Sequence, residues 1–329
     1  MSESKDHHQQ PAWAVESGSL DAVDAVAEKR IVITGGAGFI GSHLADAFVE
    51  ANDVTIVDNC SSGTTTNIPT EATFIKGDLR DVETINALPT DVDIIFHQAG
   101  IVSVEQSYRS PQVSHDVNVG ATLSLLSYAQ RVDARLVFAS SCAVYGSAET
   151  VPISESHPTN PSSPYGVDKL AADHYVRVFG DCYDIPVVVL RYFNVYGPRQ
   201  STEYSGVIDV FKRQASNDEP ITVHGDGSQS RDFVHVSDIV QANAAAAVTN
   251  NVGHAYNVGT GTSVTIAELA EEIRSLVGSS SEIVYTDPRP GDIQQSVADL
   301  HRSRNDLGYA PRTELQTGLQ SLLEATKSA

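Results

Sequence analysis

The sequence predicts a doubly wound α/β fold, a parallel sheet covered by helices on both faces, with a smaller C-terminal α/β lobe. Three observations predict it. From Arg30 onward, short β-branched runs alternate with longer helical segments. The runs are apolar almost throughout, as strands buried on both faces are. The first of them empties into a glycine-rich turn that opens a helix. At 329 residues the chain can bury one large core or two modest ones, so one α/β domain plus a smaller lobe is expected.

The elements follow in order. Residues 1–29 form a polar, acidic leader, expected to be a flexible tail holding one short helix. It lacks the basic start and apolar core of a signal peptide, and no apolar run approaches membrane-spanning length. Strands are expected at 30–34 (RIVIT), 53–57 (DVTIV), 72–76 (ATFIK), 92–96 (VDIIF), 135–140 (RLVFAS) and 186–190 (PVVVL). Helices are expected between them at 39–50, 81–88, 111–131 and 165–181. After Arg191, glycine and proline become frequent and the alternation breaks, so a second lobe starts there. The first domain is therefore read as 30–191 and the second lobe as 192–329. The run 232–248 (DFVHVSDIVQANAAAAV) reads as a short strand and helix, and residues 232–258 are expected to return to the first domain.

Composition narrows the function. Acidic residues outnumber basic ones 42 to 21, a formal charge of −21 spread along the chain. A nucleic-acid binder needs a basic face for phosphates, so that class is excluded. A diffusely acidic, lysine-poor surface suits concentrated salt, which screens the self-repulsion, and a halophilic source is expected. The three cysteines, Cys60, Cys142 and Cys182, are odd in number and fit no metal spacing. A reduced, cytoplasmic protein without a metal centre is expected.

Strand 30–34 runs into Thr34-Gly-Gly-Ala-Gly-Phe-Ile-Gly41, which fits both GxGxxG from Gly36 and GxxGxxG from Gly35. A tight turn, close approach of backbone to a pyrophosphate and close helix–strand packing each demand a residue without a side chain. The next strand ends at Asp58, where a carboxylate can take both ribose hydroxyls and would repel a 2′-phosphate. NAD is therefore favoured over NADP. Asp78, after the third strand, has two readings: a partner for the adenine amino group, or the N-cap of the helix at 81. His97-Gln-Ala-Gly100 follows the fourth strand at the edge where ligands bind; His97 itself reads as structural.

Tyr165 and Lys169 lie at i and i+4 on a helix preceded by Pro164, which places them on one face. A lysine beside a tyrosine is expected to favour the phenolate and lower its pKa, as a base that oxidises a hydroxyl requires. Upstream, Phe138-Ala-Ser-Ser-Cys-Ala-Val-Tyr-Gly146 ends the fifth strand. Its cysteine could be a nucleophile, or the small residues there could merely fit; Ser141 reads as the hydroxyl partner on the substrate oxygen.

With these residues assembled, the chain resembles the extended short-chain dehydrogenase/reductase family, within its NAD-dependent sugar-nucleotide epimerase/dehydratase group. The resemblance rests on TGGAGFIGSHL (34–44), DN (58–59), GDLRD (77–81), HQAG (97–100), NVGATLSLL (118–126), SSCAVYG (140–146), SPYGVDK (163–169), LRYFNVYGPRQ (190–200), GDGSQSRDFVHVSDIV (225–240), NVGTG (257–261) and RPGDIQQSVAD (289–299). It spans nearly all of 30–329 and implies a Rossmann domain at 30–191. It implies NAD held by Gly35, Gly38, Phe39, Ile40, Gly41, Asp58, Asn59, Asp78, Leu79, Gln98, Ala99, Gly100, Asn118, Tyr165, Lys169 and Tyr192. It implies catalysis by Ser141, Tyr165 and Lys169, and a nucleoside-diphosphate sugar, with UDP as the carrier, bound by Ser141, Asn194, Arg231, Arg289 and Ser296. Tyr165 would take the proton of the sugar 4-hydroxyl as C4 is oxidised, and the 4-keto sugar would turn over before reduction on its other face. A homodimer joined by a four-helix bundle is implied, its helices here being 111–131 and 165–181.

Within that group, dehydratases carry an acidic pair just before the VYG tripeptide, and decarboxylases a glutamate at the position of Ala143. This chain has Cys142 and Ala143 there, neither of which can transfer that proton. What remains is 4-epimerisation of a UDP-hexose, UDP-glucose/UDP-galactose. Ser296 falls where related epimerases place a gatekeeper; a small residue there implies room for an acetamido group, hence UDP-GlcNAc/UDP-GalNAc. Val102 replaces a lysine often found in galactose-type enzymes. The alternatives are a UDP-glucuronate 4-epimerase, for which no cationic or hydroxyl cluster facing C6 is evident, or another sugar-nucleotide oxidoreductase of the family, and a non-catalytic NAD-sensing binding protein. The Tyr165/Lys169 pair argues against the latter.

Overall fold

In a computed structural model the described residues are 21–200, 206–289 and 292–327; the first twenty residues of the expected tail lie outside them. The strands are β1 (Arg30–Thr34), β2 (Asp53–Asp58), β3 (Thr73–Lys76), β4 (Ile94–His97), β5 (Arg135–Ser141), β6 (Val187–Tyr192), β7 (Asn194–Tyr196), β8 (Ile221–His224), β9 (Ser230–Arg231), β10 (Phe233–His235), β11 (His254–Val258), β12 (Val264–Thr265), β13 (Ile283–Thr286) and β14 (Gln295–Ser296). Seven of them form one sheet in the order β11-β6-β5-β4-β1-β2-β3, parallel throughout. The doubly wound expectation is met, and all six expected strands are present within two residues. Strand order reverses between β1 and β4, so both chains leave the sheet on opposite sides there and open a crevice.

Alternation within the buried strands feeds two cores. Ile31 and Ile33 of β1 point into one, with Phe48, Phe96, Val137 and Val188; the rings of Phe48 and Phe96 stack at 5.1 Å. Val32 points into the other, with Val57, Leu125, Phe138 and Val189. The alanine-rich helix Val236–Val248 packs on the first face, against β5, β6 and the helix Phe39–Phe48. Small side chains let it lie close, which is why four consecutive alanines are tolerated there. The strand of the run 232–248 pairs with β7 rather than with the central sheet. The segment after it supplies β11, whose register with β6 pairs Asn257 with Arg191. A third core, around Phe211, Val223, Leu269 and Leu319, sits under the helices Val207–Ser216, Ile266–Val277 and Leu315–Lys327.

The helix expected over 111–131 is interrupted. A π turn at Asp116–Gly120 separates Pro111–His115 from Ala121–Val132. The bulge turns Asn118 inward, where its amide bonds both the N–H and C=O of Ile101 at 3.0 and 3.1 Å. Such bulges recur at functional sites because they re-aim one side chain within a helix.

Candidate active site

The crevice at the β1/β4 switch holds a cavity of about 640 Å³. Gly35 turns the chain at φ +70°, and a Cβ there would lie 2.7 Å from the Ala99 backbone nitrogen. A Cβ on Gly41 would collide with the Gly35 carbonyl. The two glycines therefore serve the turn and the helix–strand packing. The cavity is lined by Gly35, Gly38, Phe39, Ile40 and Gly41, by Asp58 and Asn59, by Asp78 and Leu79, and by Gln98, Ala99 and Gly100.

Asp58 is held in place by backbone: Ala37 N–H donates to one carboxylate oxygen at 3.0 Å, and Cys60 N–H to the other at 2.7 Å. Asp78 does not cap the next helix, which begins at Val82 behind Asp81. Instead Arg80 forks onto it at 2.9 and 2.8 Å, Asn59 donates at 2.9 Å, and these bonds hold its carboxyl well below the usual range. Arg80, Arg199 and Gln200 also line the cavity and were not anticipated. All three lie inside recognisable motifs, GDLRD and NVYGPRQ, so the signal was present but unread.

His97 is structural, as read. Thr122 Oγ1 donates to the Asn118 carbonyl at 2.7 Å, so its bond to His97 Nε2 at 2.9 Å must take the ring's hydrogen. Nδ1 then accepts from Thr34 Oγ1 at 2.8 Å. Burial, with Lys169 nearby, pushes this neutral ring down to about 3. Thr34 Oγ1 also accepts from Ala99 N–H at 3.3 Å, fixing the strand end against the cavity. Tyr192 stands behind the lining: Asn243 donates to its hydroxyl at 2.8 Å and Gln98 at 3.3 Å, so it sets where Gln98 points.

The end of β5 meets the helix Pro164–Tyr183, which is capped by Ser163 and started by Pro164. Ser141 accepts from Ala143 N–H at 3.2 Å, and it lies beside the Tyr165 hydroxyl, where it favours the phenolate. Tyr165 N–H donates to Ser107 Oγ at 3.1 Å. Lys169 is buried; its Nζ donates to Ala139 O at 2.9 Å and lies 5.2 Å from the centre of the Phe138 ring. A Cβ on Gly100 would come within 2.7 Å of Asn118 Oδ1 and 3.3 Å of Lys169 Nζ. Asn118 and Lys169 thus lie directly behind Gly100 of the cavity wall, and Tyr165 shares the helix of Lys169, although none of these residues, nor Ser141, lines the cavity itself.

One expectation fails. Lys169 does not depress Tyr165: burial pushes the phenol up to about 12, with the neighbouring Ser141 only partly offsetting it. Burial also lowers Lys169 to about 8, against the pull of Asp168. Desolvation of two neighbouring groups outweighs the interaction that spacing alone suggests. Burial also pushes the Cys142 thiol up to about 11, which disfavours the thiolate that a nucleophile needs.

The remaining residues lie in the lobe. Ser296 on β14 pairs in register with Arg231 on β9, and it lies close to the thiol of Cys142, next to Ser141 in the chain. Arg231 bonds Ser230 O and Asp292; Asn194 donates to Asp232 O at 3.0 Å; Arg289 is exposed.

A glycine cradle and a backbone-anchored Asp58 at the switch point of a doubly wound sheet fit a dinucleotide, and define an NAD-dependent enzyme. Comparison with known proteins makes the class specific. The chain belongs to the NAD dependent epimerase/dehydratase family, whose model matches residues 31–259. It is 34% identical over 305 residues to the UDP-glucose 4-epimerase of Mycolicibacterium smegmatis, covering 90% of this chain and 97% of that one. It resembles the UDP-N-acetylglucosamine 4-epimerase from Methanobrevibacter ruminantium in complex with UDP-N-acetylmuramic acid, at 37% identity and TM-score 0.88, covering 92% and 99% of the two chains. It also resembles the UDP-glucose 4-epimerase of Thermotoga maritima with UDP-glucose, at 34% identity and TM-score 0.87, covering 91% and 98%. NAD is the cofactor, and among the described residues no helix is long and apolar enough to cross a membrane.

Proposed function

We propose that the protein is an NAD-dependent 4-epimerase of a UDP-hexose, acting on UDP-glucose/UDP-galactose and admitting UDP-GlcNAc/UDP-GalNAc. The observation that carries the reading is Ser141 beside the Tyr165 hydroxyl, where it favours the phenolate, with Lys169 buried one helical turn on and with Cys142 and Ala143 where a dehydratase or decarboxylase needs acids. NAD, when bound, supplies a two-electron acceptor and donor for C4. Tyr165 takes the proton of the 4-hydroxyl and returns it, and Ser141 holds the same oxygen. Burial holds the Tyr165 phenol up to about 12, so proton transfer relies on Ser141, which favours the phenolate, and on the positive charge that bound NAD would bring. Asn194, Arg231 and Arg289 hold the diphosphate, for which two guanidinium forks are suited.

Ser296, close to Cys142, supports the wider substrate range, because a side chain this small demands less room than the tyrosine of a hexose-restricted pocket. The exposed Val167, Tyr175 and Val178 on the helix Pro164–Tyr183 support a homodimer through a four-helix bundle with 111–131. The charge of −21 supports a cytoplasm rich in salt. The test is incubation with UDP-glucose, UDP-GlcNAc and UDP-glucuronate separately, resolving the products by chromatography. C4 epimers of the first two are expected; no epimer from any of the three overturns the assignment.

A further inference from the structure

A second cavity, of about 290 Å³, lies beside the edge strand β11, between the loop after β5, the helix Pro164–Tyr183, β6 and Arg302. Arg177, Arg191 and Arg302 line it together with His157, His174 and His254. This is a concentration of arginine and histidine side chains in a chain whose acids outnumber its lysines and arginines two to one. The reaction proposed above uses none of them.

Their hydrogen bonds decide which could take a ligand. Arg191 is spent on Asp173, Tyr145 and the Glu155 carbonyl. His157 is spent as well: Nε2 accepts from Glu149 N–H at 3.2 Å, so Nδ1 donates to Pro158 O at 2.8 Å. Arg177 gives Nε to Asp173 at 2.9 Å and one Nη2 hydrogen to His174 Nδ1 at 3.2 Å, which leaves Nη1. That bond keeps the His174 hydrogen on Nε2. Arg302 makes one bond, from Nη1 to Ala255 O at 3.4 Å, and no ion pair among the described residues. His254 is exposed and touches the Tyr256 ring edge-on. The carboxylate in the lining, Glu155, accepts from Asn257 N–H at 2.8 Å.

Two guanidinium groups and two imidazoles therefore converge on one small space with donors to spare. Arginine's planar fork matches tetrahedral oxyanions, and the cavity is at the small end of ligand sites. We propose that this cavity binds a phosphate-class oxyanion, free or at the end of a small metabolite, on Arg177 and Arg302 with His174 and His254 as further donors. Its position gives it a route to the reaction, because Asp173, which Arg177 grips, also accepts from Ser140 Oγ at 3.2 Å, one residue before Ser141.

Calorimetric titration of the full-length, NAD-loaded protein with inorganic phosphate tests this, against potassium chloride at matched ionic strength. Saturating UDP is kept present so that any diphosphate subsite is filled. One saturable phosphate per chain is expected, weakened about tenfold or more by Arg302→Gln and by His254→Gln, and unchanged by the surface control Arg274→Gln. Glycerol phosphate in place of phosphate distinguishes the sources: tighter binding identifies an ester, weaker binding the free anion. Absence of saturable heat, or binding equal in wild type and both cavity variants, overturns the proposal.

Discussion

Asp173 ties the helix carrying Tyr165 and Lys169 to the sheet, and the cost of removing it can be worked out. Its side chain is fully buried and accepts from Arg191 Nε at 2.8 Å, Arg191 Nη2 at 3.3 Å, Arg177 Nε at 2.9 Å and Ser140 Oγ at 3.2 Å. The Arg191 side chain is only 4% exposed, so Asp173→Ala would strand a buried guanidinium. Breaking a buried pair from one side costs about 3–5 kcal/mol. Arg177 is 28% exposed and can turn toward water, so its share is about 1 kcal/mol or less. We therefore expect Asp173→Ala to lose about 4 kcal/mol, a large part of a typical domain's stability. Asp173→Asn keeps the volume but sets an amide N–H₂ against arginine, and should lose about 2–3 kcal/mol. Urea denaturation followed by circular dichroism is the assay, since urea leaves ionic strength unchanged in a protein this acidic. A loss under about 1 kcal/mol in both variants would refute the argument. So would a double variant, Asp173→Leu with Arg191→Met, that is less stable than Asp173→Leu alone, because removing both charges should recover part of the loss.

Three further outcomes are expected. Tyr165→Phe should lower turnover by about 10²–10⁴-fold or more while NAD stays bound, measured by product formation and by cofactor absorbance of the purified protein; retained turnover would mean another group takes the proton. Ser296→Tyr should abolish turnover of UDP-GlcNAc while sparing UDP-glucose, and equal loss on both would refute the idea that its size sets the range. Burial raises Asp238 from 3.8 to about 6, only partly opposed by the amides of Arg312 and Thr313. Between about pH 4 and 6 the folded state then holds a proton that the unfolded chain has released, so stability falls as pH rises across that window and levels off above it. The drop is at most about 3 kcal/mol, and Asp238→Asn should flatten it; a denaturation midpoint with the same pH slope in both proteins would contradict this.

What was legible in the sequence is what local chemistry decides. β1, β2 and β5 announce themselves as β-branched runs, and their carboxyl ends carry Gly35, Asp58 and Ser141 to one edge because parallel strands all finish there. β11 (HAYNV) did not, since a sheet-edge strand with His254 and Asn257 in a five-residue run has no continuous apolar pattern to read. The π turn at Asp116–Gly120 was equally silent: it is set by the pull of Ile101 on Asn118, a contact made across the fold. Tyr165 shows the limit most clearly. Its spacing from Lys169 is local and correctly pairs them on a face, whereas its pKa is a sum over everything that excludes water from it. The cationic cavity belongs to the same category. Its arginines and histidines come from separate segments around residues 157, 174–177, 191, 254 and 302, and no two of those segments share a motif. Motifs identify the residues that one turn or one strand end must present. A site assembled from isolated side chains across five segments becomes visible only when the packing is known.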